Sequence, residues 1–147
     1  MFGRSAAVSL VSLGLACRLA AQNSPITHWC AAPRTNDPLL QEARALGTST
    51  DSGWAAKRDA YRIAAVPSDQ VARVQDEAIC QRAAIAYRDY FRRFVKPDWP
   101  DAPVLVVRIG EMYLVDDLRQ RKGDDAYWEV IVFDKTWKRR SSYGDGA

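Results

Sequence analysis

The sequence predicts an α+β fold: a long helix packed on a three- to four-stranded antiparallel β-meander, with short helices before it. Three observations predict it. Residues 77–94 place apolar side chains three and four apart, the spacing of one helix face. Three prolines between Lys96 and Pro103 end helical chemistry. Beyond them, β-branched and aromatic runs alternate with turn residues.

Each element has its own signal. Asp37-Pro38 supplies an N-cap and a first-turn proline, and Leu39, Leu40, Ala43 and Leu46 follow at helical spacing, with Gly47 as the expected exit. Thr48 to Gly53 is a small polar linker, Trp54 to Tyr61 a second short helix, and Pro67-Ser68-Asp69 a break. Asp76 caps the long helix, whose apolar set runs Ile79, Cys80, Ala83, Ala84, Ala86, Tyr87, Tyr90, Phe91, Phe94. Its alanines suit close approach to a sheet. Val104 to Ile109 and Met112 to Val115 form a hairpin around Gly110-Glu111. Tyr127 to Phe133 reads as a third strand and Trp137 to Tyr143 as a fourth, at the edge.

The chain has 147 residues, 48% hydrophobic and 27% charged, with five tryptophans, which excludes a disordered or low-complexity polypeptide. One domain is the expected size. Arg4 precedes an uncharged apolar run from Ser5 to Cys17, too short to span a bilayer and of the length of a secretory h-region. Residues 1–21 therefore read as a signal peptide cleaved after Ala21, with Ala20 as the alternative site. A lipoprotein anchored through Cys17 is the competing reading, although Gly14 stands where such signals carry Leu. Residues 22–69 read as an irregular leader with short helices and 70–147 as helix plus sheet, together one mature domain, 22–147. No transmembrane span remains after signal removal. Losing Arg4 and Arg18 leaves 19 basic and 18 acidic side chains, a net +1, so no strong case for nucleic acid arises from charge.

Two cysteines then remain, Cys30 and Cys80, and in an oxidising compartment they predict one disulfide joining the leader to the long helix. Two separately buried thiols are the alternative.

Certain runs, namely 74–80, Ala83-Ala84, Tyr87, 106–110, 113–116 and 132–134, resemble small exported bacterial proteins of unknown role. The resemblance implies a bacterial periplasmic or extracellular address and supplies no catalytic residues. The helix-on-meander order also resembles the cystatin-like arrangement, a fold analogy only.

Chemistry-bearing residues are few. His28 is the single histidine, which leaves no histidine cluster for a metal, and no phosphate-binding, dinucleotide or nucleophile-elbow pattern occurs. No cofactor is expected. Asp116-Asp117 and Asp124-Asp125 flank a basic stretch and read as a solvated, self-compensating loop, with a carboxylate site as the sharper alternative. Lys135, Trp137, Lys138, Arg139 and Arg140 combine cations with an aromatic face, which suits an anionic partner. The rival reading is edge-strand protection with Trp137 packed inward. The functional expectation is an exported, non-catalytic binding domain with an envelope or extracellular protein partner, ligand unknown. Its rivals are a cystatin-like inhibitor of secreted hydrolases, with an apolar wedge at the leader and hairpin tips, and a small carboxylate-dependent hydrolase.

Overall fold

A computed structural model of the chain describes residues 25–32, 37–117 and 129–144. The predicted signal segment, Cys17, the stretch 118–128 with Asp124-Asp125, and Tyr127-Trp128 of the predicted third strand lie outside the described residues. Helix α1 (Pro38–Thr48) and helix α2 (Ser52–Ala60) lead through a 3-10 turn at Ser68–Gln70 into β1 (Val71–Arg73), helix α3 (Glu77–Phe94) and strands β2 (Leu105–Ile109), β3 (Met112–Asp116), β4 (Val130–Phe133) and β5 (Arg139–Tyr143). All neighbours pair antiparallel, in the order β1-β2-β3-β4-β5. The α+β class and the helix on a meander are as the sequence predicts.

The fifth strand is β1. It has three residues between a Pro-initiated turn and a helix cap, too short for local alternation to announce it. Only β2, more than thirty positions later, supplies its ladder, with Val71 opposite Ile109 and Arg73 opposite Val107.

Both faces of the sheet are buried, which explains why Val104 to Val107 is apolar without alternation. Leu105, Val107, Leu114, Val130 and Val132 point toward α1, where Leu39, Ala43 and Leu46 meet them. Val104, Val106, Val115, Ile131 and Phe133 point the other way, onto Cys80, Ala83, Tyr87 and Phe91 of α3. The molecule thus has helix on either side of its sheet.

Helix α1 begins where expected, Asp37 Oδ1 accepting from Leu40 N at 3.2 Å. It runs past Gly47 to Thr48, with Ser49 as cap, so Gly47 is not its exit. The glycine answers a packing need: a Cβ there would lie 3.1 Å from methyl carbons of both Val66 and Val71. Arg58 of α2 donates to the carbonyls of Leu46 at 2.8 Å and Ser49 at 3.1 Å, so a side chain twelve residues later finishes the end of α1. At the β2–β3 turn, Gly110 has φ +59°, the left-handed conformation a two-residue hairpin demands.

Asp76 caps α3, accepting from Ile79 N at 3.1 Å. The buried stripe is narrower than the periodicity implies. Cys80, Ala83, Ala84, Tyr87 and Phe91 are buried, whereas Phe94 is 63% exposed and Tyr90 half-buried. The predicted disulfide forms between Cys30 and Cys80, Cα atoms 5.1 Å apart. It fastens a leader that also bonds through its backbone: Ala31 N donates to Val104 O and Val104 N to Trp29 O, both at 2.9 Å. Trp29 N donates to Glu77 Oε2 at 2.6 Å. Arg73 completes the attachment, reaching Asp37 Oδ2 at 2.8 Å and the Ala31 carbonyl at 3.1 Å from a largely buried position.

Candidate functional site

Helix α3 contacts β2 and β3. Over the β4–β5 side of the same face an open groove of about 450 Å³ remains, a size suited to a small ligand. Phe133, at the end of β4, and Trp137, in the turn to β5, form its strand-side apolar wall, and Ile85, Ala86 and Tyr90 its helix side. Arg82 and Asp89 stand on the helix bank and Arg139 on the strand bank.

The β4–β5 turn shapes this site. Asp134 Oδ1 accepts from Thr136 N at 2.8 Å, Thr136 Oγ1 at 2.6 Å and Lys138 N at 3.1 Å. These bonds, the Thr136 hydroxyl foremost, hold the Asp134 carboxyl below the usual aspartate range. The turn leaves Trp137 at φ +63°, which a bulky side chain rarely adopts. Its indole stacks on Tyr113, ring centres 4.7 Å apart and planes 16° apart, and tilts against Phe133 at 6.0 Å. Strain at a pocket-lining aromatic persists because the surroundings over-determine it, and functional sites are where such strain gathers.

Tyr90 is the matching aromatic on the helix. Its hydroxyl donates to Glu129 Oε1 at 3.2 Å, while the Arg139 guanidinium lies 5.1 Å over its ring. Burial, with Glu129 close by, raises the Tyr90 phenol above its ordinary value. One helical turn earlier, the Tyr87 hydroxyl donates to the Glu129 carbonyl at 2.7 Å. The rim charges are unequal. Asp89 accepts from Arg88 at 3.1 Å, whereas no carboxylate among the described residues lies within ion-pair distance of Arg82 or Arg139. Arg139 donates to Ser142 Oγ at 2.8 Å.

The basic patch read from the sequence divides. Trp137 sits in the turn rather than in the strand and packs inward, and Arg139 joins it at the groove. Lys138, just before the edge strand, and Arg140 on it are exposed, and Lys135 reaches Glu111 at 3.9 Å between two exposed side chains. A register shift between Val132 and Phe133 places Arg140 at a bulge, which, with the cations, protects an open edge. Trp137 and Arg139 thus line the groove, while Lys135, Lys138 and Arg140 stay exposed at the surface. The helix half of the groove carried no distinct signal: Ile85 and Tyr90 read as ordinary positions of an amphipathic helix, and only three-dimensional packing opposes them to Trp137.

The acidic residues behave differently from the expected solvated loop. Asp116 ends β3 and is fully buried, as nearly are Asp117 and Glu129. Strand alternation sends Asp116 with Leu114 to the α1 face, where burial and the nearby Glu42 and Asp116 carboxylates push the Tyr143 phenol far up. Glu129 instead meets Tyr90 on the α3 face. A second, smaller hollow of about 190 Å³ lies beside β1, with Arg73, Asp76, Arg108 and Tyr113 on its walls. His28 is at the surface, 3.9 Å from Glu77. Among the described residues no group of three or more His, Cys, Asp or Glu side chains could hold a metal ion. The exposed large apolar side chains there are Ile85, Phe94 and Val95, on or just after α3 rather than at the leader or hairpin tip. No helix among the described residues is long and apolar enough to cross a membrane. No protein-family model, curated protein or solved structure matches this chain.

Proposed function

We propose that this chain is a small exported binding domain, without a catalytic role, whose contact surface is the groove between α3 and the β4–β5 turn. The observation that carries the reading is Trp137: a bulky residue held at φ +63° with its indole on Tyr113 and in the groove wall. The turn that sets this backbone and the stack on Tyr113 hold the ring in one orientation at the groove wall, which keeps the ordering cost of association low. Export is supported by the Cys30–Cys80 disulfide, a bond that persists in oxidising compartments, together with the apolar N-terminal run.

Two measurements test the reading. The full chain, produced in an exporting bacterial host, is expected to be recovered with its N-terminus at Gln22 and its disulfide intact by mass spectrometry. An unprocessed chain in the cytosol with two alkylatable thiols defeats the export part. A chemically diverse fragment collection, followed by amide and indole chemical shifts, is expected to perturb Ile85, Tyr90, Trp137 and Arg139 together. Shifts confined to the Arg73–Arg108 hollow, or scattered over the surface, defeat the groove as the contact site.

A further inference from the structure

We infer that the groove selects a small aromatic monocarboxylate, a free molecule with a flat ring body and one anionic head, and this rests on the groove being the binding surface. The body is argued from the walls. Trp137 has one face against Tyr113, and its remaining surface, with the half-buried Tyr90 across the groove, offers ring contacts to whatever enters. Offset or edge-to-face ring contacts favour an aromatic occupant over an aliphatic one of equal area. A groove of about 450 Å³ holds one such molecule and is open to solvent.

The head is argued from charge. Three ionic side chains stand on the rim, Arg82, Asp89 and Arg139, and the acid is already engaged by Arg88. That leaves two guanidinium groups on opposite banks with no carboxylate partner among the described residues. Arg139 is pre-oriented, lying over Tyr90 and bonded to Ser142 Oγ, so part of its rotamer entropy is spent before a ligand arrives. A planar guanidinium fork matches a carboxylate with two parallel hydrogen bonds. A cationic ligand would meet unbalanced like charge, and a neutral one would leave the guanidinium donors to water.

The probe pair is 1-naphthylacetate and its neutral analogue 1-naphthylacetamide, titrated into the disulfide-bonded protein recovered from the exporting host and followed by the Trp137 indole N–H and backbone amides. The acid is expected to bind about tenfold or more tighter than the amide, one charge-assisted contact's worth of selectivity, and to weaken with added salt while the amide does not. Arg139→Gln is expected to bring the acid down to the amide's affinity, and Arg82→Gln to lower it by a smaller factor, with the dispersed amide spectrum of the folded protein retained in both. Equal affinity for acid and amide, or no effect of Arg139→Gln, overturns the inference while leaving an apolar binding groove in place. Decanoate binding tenfold tighter than 1-naphthylacetate overturns the aromatic part, and stronger binding of 1-naphthylmethylamine overturns the anionic part. Silence of all four probes up to millimolar concentration also overturns it, and the fragment experiment then decides separately whether the groove binds anything.

Discussion

The two faces of the sheet are built from the same five strands but finished differently. On the α1 face, Leu39, Leu46, Ile63 and Ile109 form a closed aliphatic layer, and Tyr61 stacks on Tyr143 at 4.2 Å to extend cover to the edge strand. On the α3 face the layer is aromatic and stops short, leaving Phe133 and Trp137 beside an open groove. A closed aliphatic layer maximises burial, whereas an incomplete aromatic layer keeps large, rigid surfaces available for contact. Both sides contribute buried core, but only the α3 side leaves part of its aromatic surface uncovered.

The largest expected effect tests how the groove side is held together. The disulfide closes a span of 50 residues, so reduction, or Cys30→Ala with Cys80→Ala, is expected to cost up to about 4 kcal/mol in urea unfolding on the chain-entropy account. If the leader's backbone bonds to Val104 hold without the covalent tie, the loss falls well below that. Next is Leu46→Ala in the closed layer, expected to cost about 3 kcal/mol by the same measurement, as full burial in a close-packed layer implies. Tyr87→Phe on the α3 face removes one buried hydrogen bond to the Glu129 carbonyl and is expected to cost about 1 kcal/mol. Ile85→Ser, on the groove wall and 37% exposed, is expected to stay within about 0.5 kcal/mol of the parent. A large loss there would show that the groove wall bears load and would erase the contrast between the faces.

The smallest effect is a pH dependence. Asp134 has a folded pKa below its ordinary value because the Thr136 hydroxyl and the amides of Thr136 and Lys138 favour its ionised form. Its contribution is present in full above the ordinary aspartate range and fades as pH falls through the lower folded value, below about pH 4. Asp134→Asn is expected to flatten that part of the acid limb in a stability-against-pH series. The Trp137 indole resonance should shift over the same interval, since the turn that holds it at positive φ relaxes. An unchanged acid limb would show that the turn persists without the carboxylate.

Local chemistry made much of the fold legible. Asp37, Asp76 and Gly110 do what their types imply, because caps and tight turns are satisfied by neighbours within a few residues. Gly47 was misleading for the opposite reason: it reads as a helix exit, yet its role is the approach of α1 to Val66 and Val71, residues a local pattern does not contain. Asp116 and Asp117 read as loop acids beside a basic stretch, but continuation of the β2–β3 ladder draws Asp116 into the sheet. Of the groove, Trp137 and Arg139 were visible as an aromatic among cations, whereas Ile85 and Tyr90 were hidden in an amphipathic helix.

By itself, then, the amino-acid sequence determined the helix-then-meander order, the long capped helix, the hairpin and the pairing of Cys30 with Cys80. Each depends on periodicity, on capping chemistry or on there being two cysteines to join. Tertiary structure alone decided that β1 joins the sheet, that both faces are covered, and that the cover over β4 and β5 ends at Trp137 to leave a groove. Those outcomes depend on which distant surfaces meet and how much area each helix covers, and burial is shared among residues that no short window brings together.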